Sequence, residues 1–447
     1  MINSGTMDRL SSLPNELIIE IFSHIRQHED PVSSRSIRHW NNPSVGSFDT
    51  TGNWRSPQNT LARLCRVSKF LGSVAEGFLY EQVHALVGRS VESRPQSQLV
   101  SLTETLALRP DLARLVRSLK LTNNDFHGAS DRGDTRITSN LHVVDAPYDE
   151  VKIKALISLF EKIPNVETIL LSVKEALLCV PQGWRTWPER TEWIRYARRP
   201  PLPKLKSFKV YLDPEGQADD YTVADVHDVW RLLPVSFDTM VVQRWMLLYR
   251  VPGFFFDVRD LTMHDCIVNL QSLKMILCNC RDLRRFSFTL TESHNLYNSL
   301  HESVTGRNAL AALERYSAAT LVELELDIVD EYVDPLAALA NPGANQAGSS
   351  HGLASFARLT KLEVLTFKGS DKSLDTNHAG APWERIARTV PKSLKRLKIT
   401  DWSPEPVSTD DICWLGDAAT EGRLPNLEKI EVQWKDHEVV TTLARQF

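Results

Sequence analysis

The apolar positions of this chain follow two different periods. Near the N-terminus they recur with helical spacing. Leu17, Ile18, Ile19, Ile21, Phe22 and Ile25 crowd a short segment opened by Pro14, whose missing N–H suits a helix start, and by Glu16, whose charge complements the helix dipole. Leu17, Ile21 and Ile25 make one stripe, and Ile18 with Phe22 makes another. One core requires one stripe, so the pattern predicts a helix with one face for its own domain and one for a partner. In residues 61–80, Val67, Leu71, Val74 and Phe78 again recur at helical spacing, and Leu61, Leu64 and Cys65 begin an adjoining helix or turn.

Further along, the period shortens to two. An apolar residue, two variable residues and then two apolar residues separated by one recur in the segments 116–121, 166–171, 205–210, 258–263, 283–288, 321–326, 362–367, 394–399 and 427–432. Each ends in an alternation that suits a short strand with one buried face. Helical patterns precede several of them, at 151–162, 267–279, 308–317 and 383–390, and Pro164, Pro203, Pro391 and Pro425 stop any helix just before a strand. The stretches 28–59, 123–147 and 341–352 are polar and bear Gly, Ser, Asn or Asp, which predicts loops or insertions. Between Pro181 and Pro203, Trp184, Trp187 and Trp193 alternate with Arg185, Arg190, Arg195, Arg198 and Arg199. Arginine stems lying on Trp faces at a domain edge account for this better than base stacking does.

Composition changes this picture little. A chain of 447 residues with 42% hydrophobic residues can build a substantial core, and a net charge of −4 gives no general affinity for nucleic acid or membrane surfaces. The six cysteines are scattered through apolar surroundings, as in a reduced intracellular protein of cytoplasm or nucleus. No leader and no membrane-spanning run is expected.

The residues Leu13, Pro14, Glu16, Leu17, Ile21, Phe22, Leu61, Leu64, Val67, Ser68 and Phe70 resemble the F-box, a three-helix module that docks on the Skp-type adaptor of a cullin–RING ubiquitin ligase. The resemblance covers 13–83, and Phe78 to Val83 looks like the exit from the module in fungal members. Here a long insertion at 28–59 separates the first helix from the second, where the family runs on quickly. The repeated helix, turn and short strand resembles an irregular leucine-rich-repeat solenoid, without the asparagine that commonly follows the strand. The expected fold class is therefore α/β, an F-box at 10–83 followed by an irregular leucine-rich-repeat-like solenoid at 84–447.

The resemblance implies a substrate-recognition adaptor subunit of an SCF-type ubiquitin ligase. Leu13, Pro14, Leu17, Ile21, Phe22, Leu61, Leu64 and Val67 would dock on the Skp-type adaptor, and through it on a cullin, or shape the docking surface. Alternating strand residues would form the face that holds a target protein, with Lys209, Tyr211, His264, Arg285, Glu323, Glu325, Asp327, Lys368, Arg396 and Lys398 as candidate contacts. A one-residue slip would exchange that face with the core. The alternative is a repeat scaffold outside any ligase, its N-terminal helices capping the solenoid.

Enzymatic chemistry has no local signature. His24 and His28 stand four apart, but Ile25 occupies the place of the zinc-protease glutamate. Cys278 and Cys280 lack a second Cys/His pair at zinc-site spacing. The acid pairs Asp219-Asp220, Asp330-Glu331 and Asp410-Asp411 sit in polar segments that suit solvated turns or helix starts. There is no phosphate-binding glycine loop and no nucleophile elbow. No catalytic, metal or cofactor site is expected, and a hydrolase would need a pocket with converging polar groups.

Overall fold

The computed structural model describes residues 14–27, 57–86, 98–122, 150–173, 201–212, 233–234, 236–243, 246–247, 257–264, 266–289, 304, 306–327, 356–368, 390–402, 417, 419–434 and 440–444. Leu13, the polar stretches apart from 57–59, the Trp/Arg segment up to Pro200, the three acid pairs and the helix expected at 383–389 lie outside these residues. The chain forms two compact units, Met1–Ser172 with Pro201–Leu205 and Val173–Pro200 with Lys206–Phe447. Among the described residues, no helix is long and apolar enough to cross a membrane.

The first unit opens with three helices, α1 (Asn15–Gln27), α2 (Pro57–Leu64) and α3 (Lys69–Glu81). Pro57 opens α2, so the last residues assigned to the insertion are helical; Pro at that position has no partnerless N–H to leave exposed. Ser68 caps α3, its hydroxyl accepting from the Leu71 N–H at 3.1 Å. Gly72 lets α3 lie against the preceding turn, since a Cβ there would stand 3.1 Å from the Cys65 carbonyl oxygen. Ile18, Phe22, Leu61, Leu71 and Ala75 form the core of this helical module, with Phe22 meeting Phe78 edge to face at 5.9 Å between centroids.

α3 then runs directly into β1 (Gln82–Leu86), so the expected boundary at 83 falls inside a strand. The sequence pattern missed this strand. It also missed α4 (Gln98–Leu108), which is followed by the single turn α5 (Pro110–Ala113), β2 (Ser118–Thr122), α6 (Glu150–Lys162) and β3 (Thr168–Val173). β1, β2 and β3 pair in parallel. Thr103 on α4 is buried, its hydroxyl 2.8 Å from the Leu99 carbonyl and 3.2 Å from that of Ala155 on α6.

In the second unit the strands are β4 (Ser207–Leu212), β5 (Ser236–Gln243), β6 (Met246–Leu247), β7 (Asp257–His264), β8 (Ile267–Val268), β9 (Arg285–Thr289), β10 (Glu323–Asp327), β11 (Val364–Lys368), β12 (Arg396–Trp402), β13 (Lys429–Trp434) and β14 (Val440–Ala444). The main sheet runs β4-β5-β7-β9-β10-β11-β12-β13, all parallel, and ends on antiparallel β14. It is open, and β6 pairs β8 separately. α7 (Leu270–Asn279) and α8 (Gly306–Ser317) pack together and precede β9 and β10. α7 starts later than the apolar pattern implied. Ile267 and Val268 are taken by β8, and the Asn269 side chain caps the helix by accepting from the Ser272 N–H at 2.7 Å. The protein is thus mixed α/β with open, mainly parallel sheets.

The core of this sheet is two apolar ladders one pleat apart. One is Phe208, Met240, Leu261, Phe286, Leu324, Leu365, Leu397 and Ile430; the other includes Val210, Val242, Met263, Phe288, Leu326, Ile399 and Val432, and all are buried. Parallel neighbours in register place like positions side by side, so the period-two pattern becomes a continuous apolar surface.

Candidate functional site

Two surfaces carry the residues singled out by the sequence. On the helical module, α1 keeps its two stripes apart. Ile18 and Phe22 are 1% and 3% exposed, whereas Leu17 and Ile21 are 45% and 42% exposed. Pro14 stands just ahead of the helix, exposed, its carbonyl accepting from the N–H groups of Leu17 and Ile18. Val67, in the turn before α3, is exposed as well. Leu61 lies in the module's core and Leu64 packs against it half-buried, so these two, like Phe22, act by holding the helices together. Ile19 on α1 and Phe70 on α3 add to the exposed apolar set. Neither was among the expected docking residues, although Phe70 belongs to the matching pattern and Ile19 to the apolar run. Of the seven large hydrophobic side chains exposed among the described residues, Leu17, Ile19, Ile21, Val67 and Phe70 belong to this module. Such a concentration on one small module marks an interaction surface better than scattered exposure does.

The second surface is the outward face of the long sheet, opposite the apolar ladders. Three rows of register positions cross it. The first reads Ser207, Thr239, Asp260, Arg285, Glu323, Val364, Arg396, Lys429. The second reads Lys209, Val241, Thr262, Ser287, Glu325, Thr366, Lys398, Glu431. In the third, Tyr211 is followed by Gln243, His264, Thr289 and Asp327, and Lys368 pairs with Thr400 further on. The expected register therefore holds wherever the sequence placed a strand in this sheet. β5 was not anticipated, because Val241 breaks the alternation with a buried apolar residue on the outward row.

Contacts along the rows are specific. The Arg285 guanidinium lies 3.7 Å from the Asp260 carboxylate and 3.4 Å from that of Glu323, joining β7, β9 and β10. Burial raises the Asp260 carboxyl above its ordinary pKa, and Arg285 opposes that rise. The Ser287 hydroxyl donates to Glu325 at 2.9 Å, and His264 Nδ1 lies 3.1 Å from the Thr289 hydroxyl. At the N-terminal rim of the strands the charges pair off between neighbours, Arg259 with Asp238 and Asp282 at 3.4 and 3.2 Å and Lys395 with Glu363 at 3.0 Å. These rim pairs are solvent-exposed and each contributes little stability.

Cys278 is exposed at the end of α7, whereas Cys280 is buried and its thiol is pushed up to about 12 by that burial. The two therefore do not form a paired reactive site. No group of three or more His, Cys, Asp or Glu side chains among the described residues could hold a metal ion. No family model matches the chain, and no curated protein matches it.

Proposed function

We propose that this protein is the substrate-recognition adaptor of an SCF-type cullin–RING ubiquitin ligase. The N-terminal helical module acts as an F-box that docks on a Skp-type adaptor, and the long sheet acts as an irregular leucine-rich-repeat-like surface that holds a target protein. The observation that carries this reading is the pair of adjoining apolar stripes on α1, one buried and one exposed. One is spent on the module's core, and the other leaves Leu17 and Ile21 in solvent, where an isolated three-helix module has no use for them. The chain would perform no bond chemistry. Its contribution is proximity, holding a target lysine near a charged conjugating enzyme. The setting is intracellular, cytoplasm or nucleus, with no cofactor.

Calorimetric titration of the full-length chain against a purified Skp-type adaptor tests this. Saturable binding that Leu17→Asp abolishes, with the circular dichroism unchanged, supports it. Wild-type affinity in a folded Leu17→Asp protein refutes the docking assignment. One observation favours a second reading, a repeat scaffold outside any ligase. α3 passes into β1 without a linker, as a cap on the edge of a sheet would. Under that reading the adaptor does not bind, and deleting residues 1–81 leaves an aggregating protein.

A further inference from the structure

β14 ends the main sheet. It pairs with β13 in the antiparallel sense, from Lys429 opposite Ala444 to Gln433 opposite Val440, and no described strand pairs with its other edge. An edge strand leaves a row of backbone N–H and C=O groups that can template a further strand, and proteins ordinarily blunt such an edge with charge, Lys above all, or with Pro. β14 reads Val-Thr-Thr-Leu-Ala and has neither. The contrast lies within the sheet itself. Every other strand of five or more residues in the second unit carries at least one acidic or basic residue, from Lys209 on β4 to Glu431 on β13. Charge is missing on the strand that ends the sheet, where it would act as a guard.

We propose that the occupant of this edge is a second copy of the same chain, its β14 lying antiparallel to the first about a two-fold axis. A two-fold that sets a strand antiparallel beside its own copy stands perpendicular to the sheet, so each face of one copy continues as the same face of the other. Directly opposed residues then share a face, which restricts the register to those centred on a residue. The centre that pairs all five residues is Thr442: it meets itself, Thr441 meets Leu443, and Val440 meets Ala444. No charge meets its like, and Thr opposite Thr is a favourable cross-strand pair. Self-pairing of this kind is not general in the sheet. The same operation on β10 would set Glu325 against itself and Glu323 against Asp327. On β14 the rows of the two apolar ladders reach Leu443, opposite Ile430, and Thr441, opposite Val432, and the two-fold carries both rows on into the second copy. A foreign strand can use the same backbone groups, but β14 offers no charge by which to select one. Five paired residues make a small interface beside the about 1,200–2,000 Å² of a standard one, so the dimer is weak and forms at micromolar concentration. Its outward faces look the same way and offer a partner two copies of the surface side by side, whether or not that surface holds a ligase target.

Sedimentation velocity of the full-length chain under reducing conditions tests the proposal. Across a concentration series the wild type should pass from monomer to dimer and no further. Thr442→Lys sets two ammonium groups against each other at the axis and should leave a monomer throughout. Protection of 429–434 against hydrogen exchange should stay intact in that variant, which shows that β14 still pairs with β13. Thr442→Cys gives an independent reading. Opposed Cα atoms in an antiparallel pair stand about 4.5–5.5 Å apart, a separation that a disulfide spans. Mild oxidation should therefore link two copies through position 442, read by peptide mapping, whereas Val440→Cys should not link to itself. A chain that stays monomeric across the series overturns the proposal, as does equal linking through positions 440 and 442. So does a dimer that survives Thr442→Lys with protection of 429–434 retained. If that protection is lost, the linking experiment decides. Species that keep growing with concentration would show head-to-tail pairing, which also overturns it.

Discussion

Neighbouring residues on α1 should respond to the same truncation in opposite ways. Ile18 is 1% exposed and sits in the core with Phe22, Leu61, Leu71 and Ala75. Ile18→Ala removes three buried carbons, worth about 2.4 kcal/mol of transfer free energy at about 0.8 each. The cavity left behind adds to this, for a total of about 2–5 kcal/mol. Leu17 is 45% exposed, so much of its side chain is already in water. Leu17→Ala should cost about 1 kcal/mol or less, reduced further by the better helix propensity of Ala. The two units make a single two-state unfolding transition an unsafe assumption. Hydrogen exchange followed by mass spectrometry in a urea series is therefore the assay, read on peptides from 15–27 and 57–81. Ile18→Ala should collapse protection there while protection of 323–327 is unchanged, and Leu17→Ala should leave both near wild type. Equal loss for the two variants would show that the Leu17 stripe is packed within the chain, which would remove the surface on which adaptor docking depends.

The register of the long sheet can be checked in the same way on β10. Leu324, 0% exposed, should cost about 2–5 kcal/mol on truncation to Ala, and Glu325→Ala on the opposite face within about 0.5 kcal/mol, by hydrogen exchange of 323–327 in the same urea series. Among the cysteines, Cys278 should react with a maleimide in the native protein while Cys266 and Cys280 stay unmodified until urea is added. Because burial pushes the Cys280 thiol to about 12, raising the pH to 9 should not change that order, and peptide mapping reads it directly. Gly422 adopts φ of 77° with nothing near its missing Cβ, so Gly422→Ala should cost about 1–2 kcal/mol through backbone conformation alone, read as a shift in the urea midpoint.

How much of this was legible depended on which force set each element. The apolar hexamers marked β2, β3, β4, β7 and β9–β13 because both partners of the alternation, a buried residue and a solvated one, are written locally. Five strands went unseen, the two-residue β6 and β8 and three longer ones that lack that contrast. β1 follows a helix without a break, so its Val83 and Ala85 read as the end of α3. β5 places Val241 on the outward row, and β14 closes the sheet antiparallel through Val440 to Ala444, a pairing decided by β13 rather than by its own pattern. α4 escaped notice because Thr103 interrupts its apolar stripe, and only the structure shows that hydroxyl reaching the Ala155 carbonyl on α6. For the docking surface, the two stripes of α1 were readable, but which of Leu61, Leu64 and Phe22 would be core and which surface required the packing of three helices.

The irregular spacing of the strands has a physical explanation in what is repeated. A turn and a strand recur at each of these places among the described residues. Ile163, Leu202, Leu359, Pro391 and Leu424 each offer a carbonyl to the N–H three residues on, at Val166, Leu205, Leu362, Leu394 and Leu427. The next two N–H groups then converge on one carbonyl of the preceding strand's approach. Those of Glu363 and Val364 meet Val322, those of Lys395 and Arg396 meet Glu363, and those of Glu428 and Lys429 meet Lys395. Asn165 and Asn426, at equivalent places, add side-chain donors to the turn before, at the Arg114 and Lys392 carbonyls, both at 2.8 Å. Register is therefore set where each strand begins, before any side chain of the outward face is reached. Where the connection between one strand and the next turn is loop, its length enters through closure entropy, which grows by about 0.6 kcal/mol per doubling of loop length. Length can vary there at small cost, and so can the outward rows, whose residues take no part in the turn. Two residues inserted between Leu359 and Leu362 should therefore disrupt the sheet, whereas the same insertion at 341–352 should leave its hydrogen-exchange protection intact. Equal tolerance at both places would show that the turns do not set the register.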